Sequence, residues 1–136
     1  MKFNVRVLSE TDYDDVLVGW WKDWKWTPPV KDFLPLDGRG GIMVEWDGIP
    51  VCAGFIIQTN SKVAMVEWVV SNKDFKEKAI RKDAMNLLIQ TLTDVAKETG
   101  NTYTYTILKN SSLTNVYKNN GYLGHEQNIT EMIKKI

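Results

Sequence analysis

Val63-Ala64-Met65-Val66-Glu67-Trp68-Val69-Val70 is an apolar, β-branched run with a single charge inside it. It crosses a short basic segment, Ser71 to Lys82, and continues as a long helical pattern to Glu98. A buried strand that feeds a basic turn and then a helix is a physical device for holding phosphate. The strand end fixes the turn, and the helix N-terminus offers unpaired N–H groups with roughly half a positive charge. Glu67 asks for a second explanation, because a carboxylate in an apolar strand costs free energy unless it is paired, protonated or working. Strict alternation sets Glu67 with Met65 and Val69 on one face, and Val66, Trp68 and Val70 on the other. In apolar company its pKa rises, which suits a base acting near neutrality. An ion pair with Arg or Lys at the sheet edge accounts for the same residue equally well.

Working outward, Ile42–Trp46 and Pro50–Thr59 read as two strands joined by Asp47-Gly48, the pair a tight hairpin prefers. Asn60-Ser61 turns the chain into the strand Lys62–Val70, so three consecutive strands form an antiparallel meander. Upstream, Phe3, Val5 and Val7 alternate with Asn4 and Arg6 as in a half-buried strand. Ser9 followed by Asp12 resembles a helix N-cap, and Val16, Trp20 and Trp24 then recur at helical spacing until Pro28-Pro29. A short helix is weakly indicated around Lys31–Leu34, within the loop Val30–Gly41.

Downstream, Met85, Leu88, Ile89, Leu92, Val95 and Ala96 share one helix face, with Gly100 as C-cap. Thr102–Leu108 reads as a strand, which the right-handed crossover rule sets parallel to Lys62–Val70. Ser111 or Ser112 then caps a short helix with Leu113, Val116 and Tyr117 inward, ended by Asn119-Asn120-Gly121. Tyr122–Glu126 and Ile129–Ile133 complete the pattern as a final strand pair. The fold class is α/β (α+β): a mixed, mainly antiparallel central sheet flanked by helices.

At 136 residues the chain is long enough for one domain with a real core and too short for two. Its 17 acidic and 17 basic residues balance, so no nucleic-acid or membrane surface is indicated. The single cysteine, Cys52, excludes an internal disulfide and fits a reducing cytoplasm. No apolar run approaches the ~20 residues that span a bilayer, and the start is not that of a signal peptide. With His125 as the one histidine, neither a His-based metal cluster nor a Ser-His-Asp triad is indicated, and no metal is expected.

Three stretches carry a resemblance to a known family. They are Asn110-x6-Tyr117-x3-Gly121-Tyr122, Val5-Arg6-Val7 with Asp12-Tyr13, and Asp47-Gly48-Ile49-Pro50-Val51-Cys52-Ala53-Gly54-Phe55. With the element order, they resemble the GNAT superfamily of acyl-CoA N-acyltransferases over nearly the whole chain, residues 1–136. The short, Trp-rich form is also similar to small GNAT-like proteins encoded by bacteriophages, which would place it in a host cytoplasm. The resemblance departs at the turn after the fourth strand. There the family carries Arg or Gln, two residues, Gly, one residue, then Gly or Ala. Anchored on Leu87-Leu88, this chain has Ala79, Lys82 and Ala84 at those places, with Arg81 between; a register starting at Arg81 puts Ala84 and Asn86 there. Neither keeps the glycine that lets backbone amides approach a pyrophosphate.

The resemblance implies acetyl-CoA as co-substrate, attacked directly by an amine acceptor that is a small molecule or a protein, on a monomer or homodimer. Tyr117 would be the acid that meets the leaving thiolate and Glu67 the base; packing of the Tyr117 ring against the sheet is the plainer use. Val69, Val70 and Ser71 would receive the pantetheine arm along their backbone, with an amide there as oxyanion donor. Lys78, Arg81, Lys82 and Ala84 would surround the pyrophosphate, and Asn110 would bond the arm or start the helix after it. Six tryptophans are present, four of them between Trp20 and Trp26, where the family forms its acceptor site. Trp20 and Trp24 suit core packing, while Trp21 and Trp26 suit a substrate or partner surface as well as the core. A GNAT-fold module without turnover, holding CoA or a protein partner, is the alternative.

Overall fold

The computed structural model describes residues 2–108, 111–124 and 127–136. The period-two stretches become β1 (Phe3–Val7), β2 (Gly41–Trp46), β3 (Ile49–Gln58), β4 (Val63–Ser71) and β5 (Tyr103–Tyr105). They form one sheet in the spatial order β1-β2-β3-β4-β5. Neighbours are antiparallel from β1 to β4, and β5 runs parallel to β4. Asp47 and Gly48 both take positive φ, 53° and 81°, as a two-residue hairpin that matches strand twist requires.

Among the described residues three α-helices cover the sheet: α1 (Val18–Asp23), entered through a π turn at Tyr13–Leu17, α2 (Lys78–Glu98) and α3 (Ser111–Asn119). Ala84, Met85, Leu88, Ile89, Leu92 and Ala96 of α2 pack with Tyr117 of α3 against Val44, Cys52, Ile56, Ala64 and Val66. Leu17, Trp20 and Trp21 pack the other face against Met43, Ala53, Phe55 and Val70. Consecutive residues such as Met43 and Val44 thus serve opposite cores, and the result is an α/β/α sandwich.

Strict alternation fails in β4. Ala53 faces Val70 and Phe55 faces Glu67, so β4 carries one residue more than β3 between these pairs. Trp68 takes a φ of 57° to accommodate it, a left-handed conformation that bulky side chains rarely adopt. The bulge re-aims the rest of the strand. Val66 and Val69 pack on the α2 face, while Trp68 and Val70 pack on the α1 face. The expected grouping of Val69 with Glu67, and of Val66 with Trp68 and Val70, is therefore corrected.

Three other expectations change. Ser9 does not cap the first helix with its hydroxyl; the Asp12 carboxylate accepts the Ser9 amide at 2.7 Å and the Arg6 guanidinium at 2.7 and 3.1 Å. β5 covers only Tyr103–Tyr105 of the expected Thr102–Leu108, because Thr106 and Ile107 turn away from the ladder to bond the Glu67 side chain. The expected strand pair at the C-terminus does not form among the described residues; His125 and Glu126 of the expected Tyr122–Glu126 lie outside them. Tyr122 is held by Tyr117 (rings 5.0 Å apart, edge-on) and by Thr93 on α2, away from the edge of β5. In 129–133 a period-two face would set Glu131 between Ile129 and Ile133, so no continuous apolar side exists to bury.

Candidate active site in the fork between β4 and β5

β4 and β5 pair only over Val63–Met65 and Tyr103–Tyr105. Beyond Met65 they part, and the Glu67 carboxylate spans the fork. Its Oε1 accepts the Thr106 hydroxyl at 2.6 Å and the Ile107 amide at 2.8 Å. Burial raises the Glu67 pKa, the bonds from Thr106 and Ile107 pull it back, and the charge of Glu131 pushes it up again; the net direction is upward. The Tyr117 hydroxyl donates to the Val66 carbonyl at 3.1 Å. Thr106 and Glu67 stand near enough to act on the Tyr117 phenol, and all three line one cavity. Tyr117 is only 2% exposed, and burial holds its phenol well above the ordinary 10.0.

Local structure explains why Tyr117 points there. Gly121 adopts a φ of 88° just past α3, which lets the Tyr122 and Gly121 amides close on the Tyr117 and Lys118 carbonyls. That fixes the end of the helix and the phase of Tyr117, one turn earlier.

A cavity of about 630 Å³ opens from the fork. Glu67, Thr106, Ile107 and Tyr117 line it, together with Trp26, Pro28, Pro29, Val30 and Phe33 from the loop after α1, Trp68 and Val69 from the bulge, and Glu131 and Ile133 from the C-terminal segment. The Tyr13 hydroxyl donates to the Pro29 carbonyl and tethers that loop. Lys25 is the one cation among the described lining residues.

The residues singled out in the sequence separate here. Glu67, Val69, Tyr117 and Trp26 line the cavity. Trp21 does not: it is fully buried, edge-on to Trp68 at 6.1 Å, behind the cavity wall. Trp20 is core as expected, but Trp24 is half-buried, and its Nε1 donates to the Ser71 carbonyl at 2.8 Å while Lys73 sits over its ring. Trp20 and Trp21 both point inward, and Trp24, which stands at the C-cap of α1, reaches β4 instead. Val70 is buried in the α1-side core. Ala84 is fully buried against the sheet and offers nothing to a ligand. Arg81 bends back to the Phe75 carbonyl at 3.2 Å, whereas Lys78 and Lys82 are exposed. The first turn of α2 carries no acidic residue and no side-chain cap bond, while Glu77 stands at its N-cap. Asn110 and His125 lie outside the described residues.

Thr106 and Phe33 are missing from the sequence reading. Thr106 lies in an ordinary strand pattern and Phe33 in a loop, and no local signal marks either. Among the described residues no group of three or more His, Cys, Asp or Glu side chains could hold a metal ion. Among them, too, no helix is long and apolar enough to cross a membrane.

No family model matches the sequence. No curated protein matches it either. Solved structures do. A glucosamine-6-phosphate N-acetyltransferase from Arabidopsis thaliana is 15% identical, over 98% of this chain and 100% of that one, with a TM-score of 0.66. An aminoglycoside acetyltransferase from an uncultured soil metagenomic sample, in complex with sisomicin, is 12% identical over 98% and 96%, with a TM-score of 0.64. N-acetylglutamate synthase from Neisseria gonorrhoeae, complexed with coenzyme A and L-arginine, gives a TM-score of 0.71 at 11% identity, over 96% of this chain and 30% of that one. The fold is that of the GNAT acetyltransferases.

Proposed function

We propose that this chain is a single-domain cytoplasmic N-acetyltransferase that moves the acetyl group of acetyl-CoA to an amine by direct attack. The observation that carries the reading is that Glu67, held by Thr106 and Ile107, and Tyr117, held by the Val66 carbonyl, line one cavity at the open fork of the sheet. When bound, acetyl-CoA supplies an activated acetyl thioester. The chain's own residues then have two tasks. Glu67, raised by burial, takes a proton from the ammonium so that its nitrogen lone pair is free. Tyr117, kept protonated by burial, holds at its hydroxyl the proton that the departing sulfur needs, and recovers one from the amine nitrogen. The edge of β4 beyond its pairing with β5, at Val69 and Ser71, would hold the pantetheine arm, and Lys78 and Lys82 at the start of α2 the phosphates.

Two observations favour a second reading, a GNAT-fold module that binds CoA or a protein without turnover. The Ser71 carbonyl is already taken by Trp24, and the turn into α2 lacks its glycine. A thermal-shift titration with acetyl-CoA separates the cases. A rise in Tm that grows with ligand concentration supports CoA binding by mass action; no rise at millimolar acetyl-CoA overturns the enzyme and the CoA-binding module together. Given binding, Tyr117→Phe is expected to cut turnover with little change in affinity, and an unchanged rate removes Tyr117 from the chemistry.

A further inference from the structure

Resting on the acyl-transfer reading above, we propose that the amine this cavity takes is a cation carried on an apolar, ring-sized body without acidic groups. Phe33, Trp26 and Trp68 would hold the body, and Glu67 and Glu131 the ammonium.

The walls point to such a ligand. Phe33 is 46% exposed and stands edge-on to Trp68 with ring centroids 5.9 Å apart. Val30 beside it is 65% exposed, and both line the cavity. Apolar surface left open at the mouth of a concave site is surface that an apolar ligand would cover. Trp68 contributes its ring from a left-handed backbone, and such strain persists where the surrounding structure imposes it, often at ligand sites.

The charges give the polarity of the ligand. Glu67 and Glu131 line the same cavity, and each carboxylate is close enough for Glu131 to act on Glu67 through its field. An ammonium placed between them is favoured by both and by the faces of the aromatic rings. A carboxylate or phosphate on the same ligand meets like charge from both acids, with exposed Lys25 the single described lining cation to offset it. Specificity then comes from repulsion as much as from attraction.

Calorimetric titration of the full-length protein with matched probes, at saturating CoA and without acetyl-CoA, tests this. 2-Phenylethylamine has ring and cation, phenylalanine adds one carboxylate, ethylamine lacks the ring, and 2-phenylethanol lacks the cation. The first is expected to bind at least about tenfold more tightly than each of the others. Phe33→Ala is expected to weaken it about fivefold or more at an unchanged Tm, since Phe33 is half-exposed. Glu131→Gln is expected to narrow the gap between phenylethylamine and phenylalanine. Equal binding of phenylalanine, no loss in Phe33→Ala, or no saturable phenylethylamine binding each overturns the proposal. Tight phenylethylamine binding with no acetylated product on adding acetyl-CoA overturns the acyl-transfer reading alone and still supports the amine site.

Discussion

Replacing Thr106 with valine keeps the β-branched shape and deletes one hydroxyl. That hydroxyl donates to Glu67 Oε1 at 2.6 Å, leaving the Ile107 amide, at 2.8 Å, as the second donor. A hydrogen bond to a charged group is worth about 1.5–3 kcal/mol. Burial already raises the Glu67 pKa, and Thr106 is the largest influence pulling it back. The valine variant therefore holds Glu67 protonated to higher pH. At about 1.4 kcal/mol per decade, the ionised fraction on the acid side falls by roughly tenfold or more. Two assays read this. The carboxyl ¹³C resonance of Glu67, assigned with Glu67→Gln, should titrate at higher pH in Thr106→Val, and the acid limb of any turnover profile should move the same way.

Stability supplies a third sign. A carboxyl raised in the folded state contributes stability that is fully present below its unfolded pKa and is lost as pH rises through the folded one. From the ordinary value of 4.5 upward, Thr106→Val should thus lose more Tm relative to wild type at neutral pH than at pH 4. Thr106→Ser restores the donor and should restore all three. An unmoved Glu67 titration in the valine variant, or a serine variant that behaves like valine, refutes the role given to Thr106.

Two further outcomes rest on the packing. Gly54 lies opposite the bulge, and a Cβ there would come within 2.8 Å of Val69 Cγ2 and 3.0 Å of Leu92 Cδ1. Gly54→Ala is expected to destabilise by about 1–3 kcal/mol in a denaturant melt, and an unchanged midpoint would contradict the tight packing at the bulge. Asp12 is 5% exposed and held below the ordinary 3.8 chiefly by Arg6, so its contribution is present above that value and lost as pH falls below it. Asp12→Asn should lose about 2 kcal/mol at pH 7 and less at pH 3, and equal losses at both would show that charge is not the cause.

The sheet meander, the Asp47-Gly48 hairpin, the inward face of α2 and the parallel setting of β5 were all legible in the amino-acid order. Each depends on a local period, on turn residues or on the handedness of a crossover, and these act over a few residues of chain. Glu67 and Tyr117 also stood out, one as a charge in an apolar strand and the other through its family resemblance. Their partnership did not. Thr106 reaches Glu67 from 39 residues away, and Tyr117 reaches Val66 from 51. No period links positions so far apart.

The same distinction explains the errors. Alternation in β4 was sound until Trp68, where one extra residue, invisible as a pattern, reversed which side chains face α2. The tryptophan-rich helix was legible, but where it ends and what it packs on decided that Trp21 is core and Trp24, at its C-cap, a tether to Ser71. Sequence by itself determined the elements and the sheet they form, because backbone sterics and burial act on neighbours. Only the tertiary structure decided the site, because a fork between strands and the side chains that bridge it exist only once distant segments have packed.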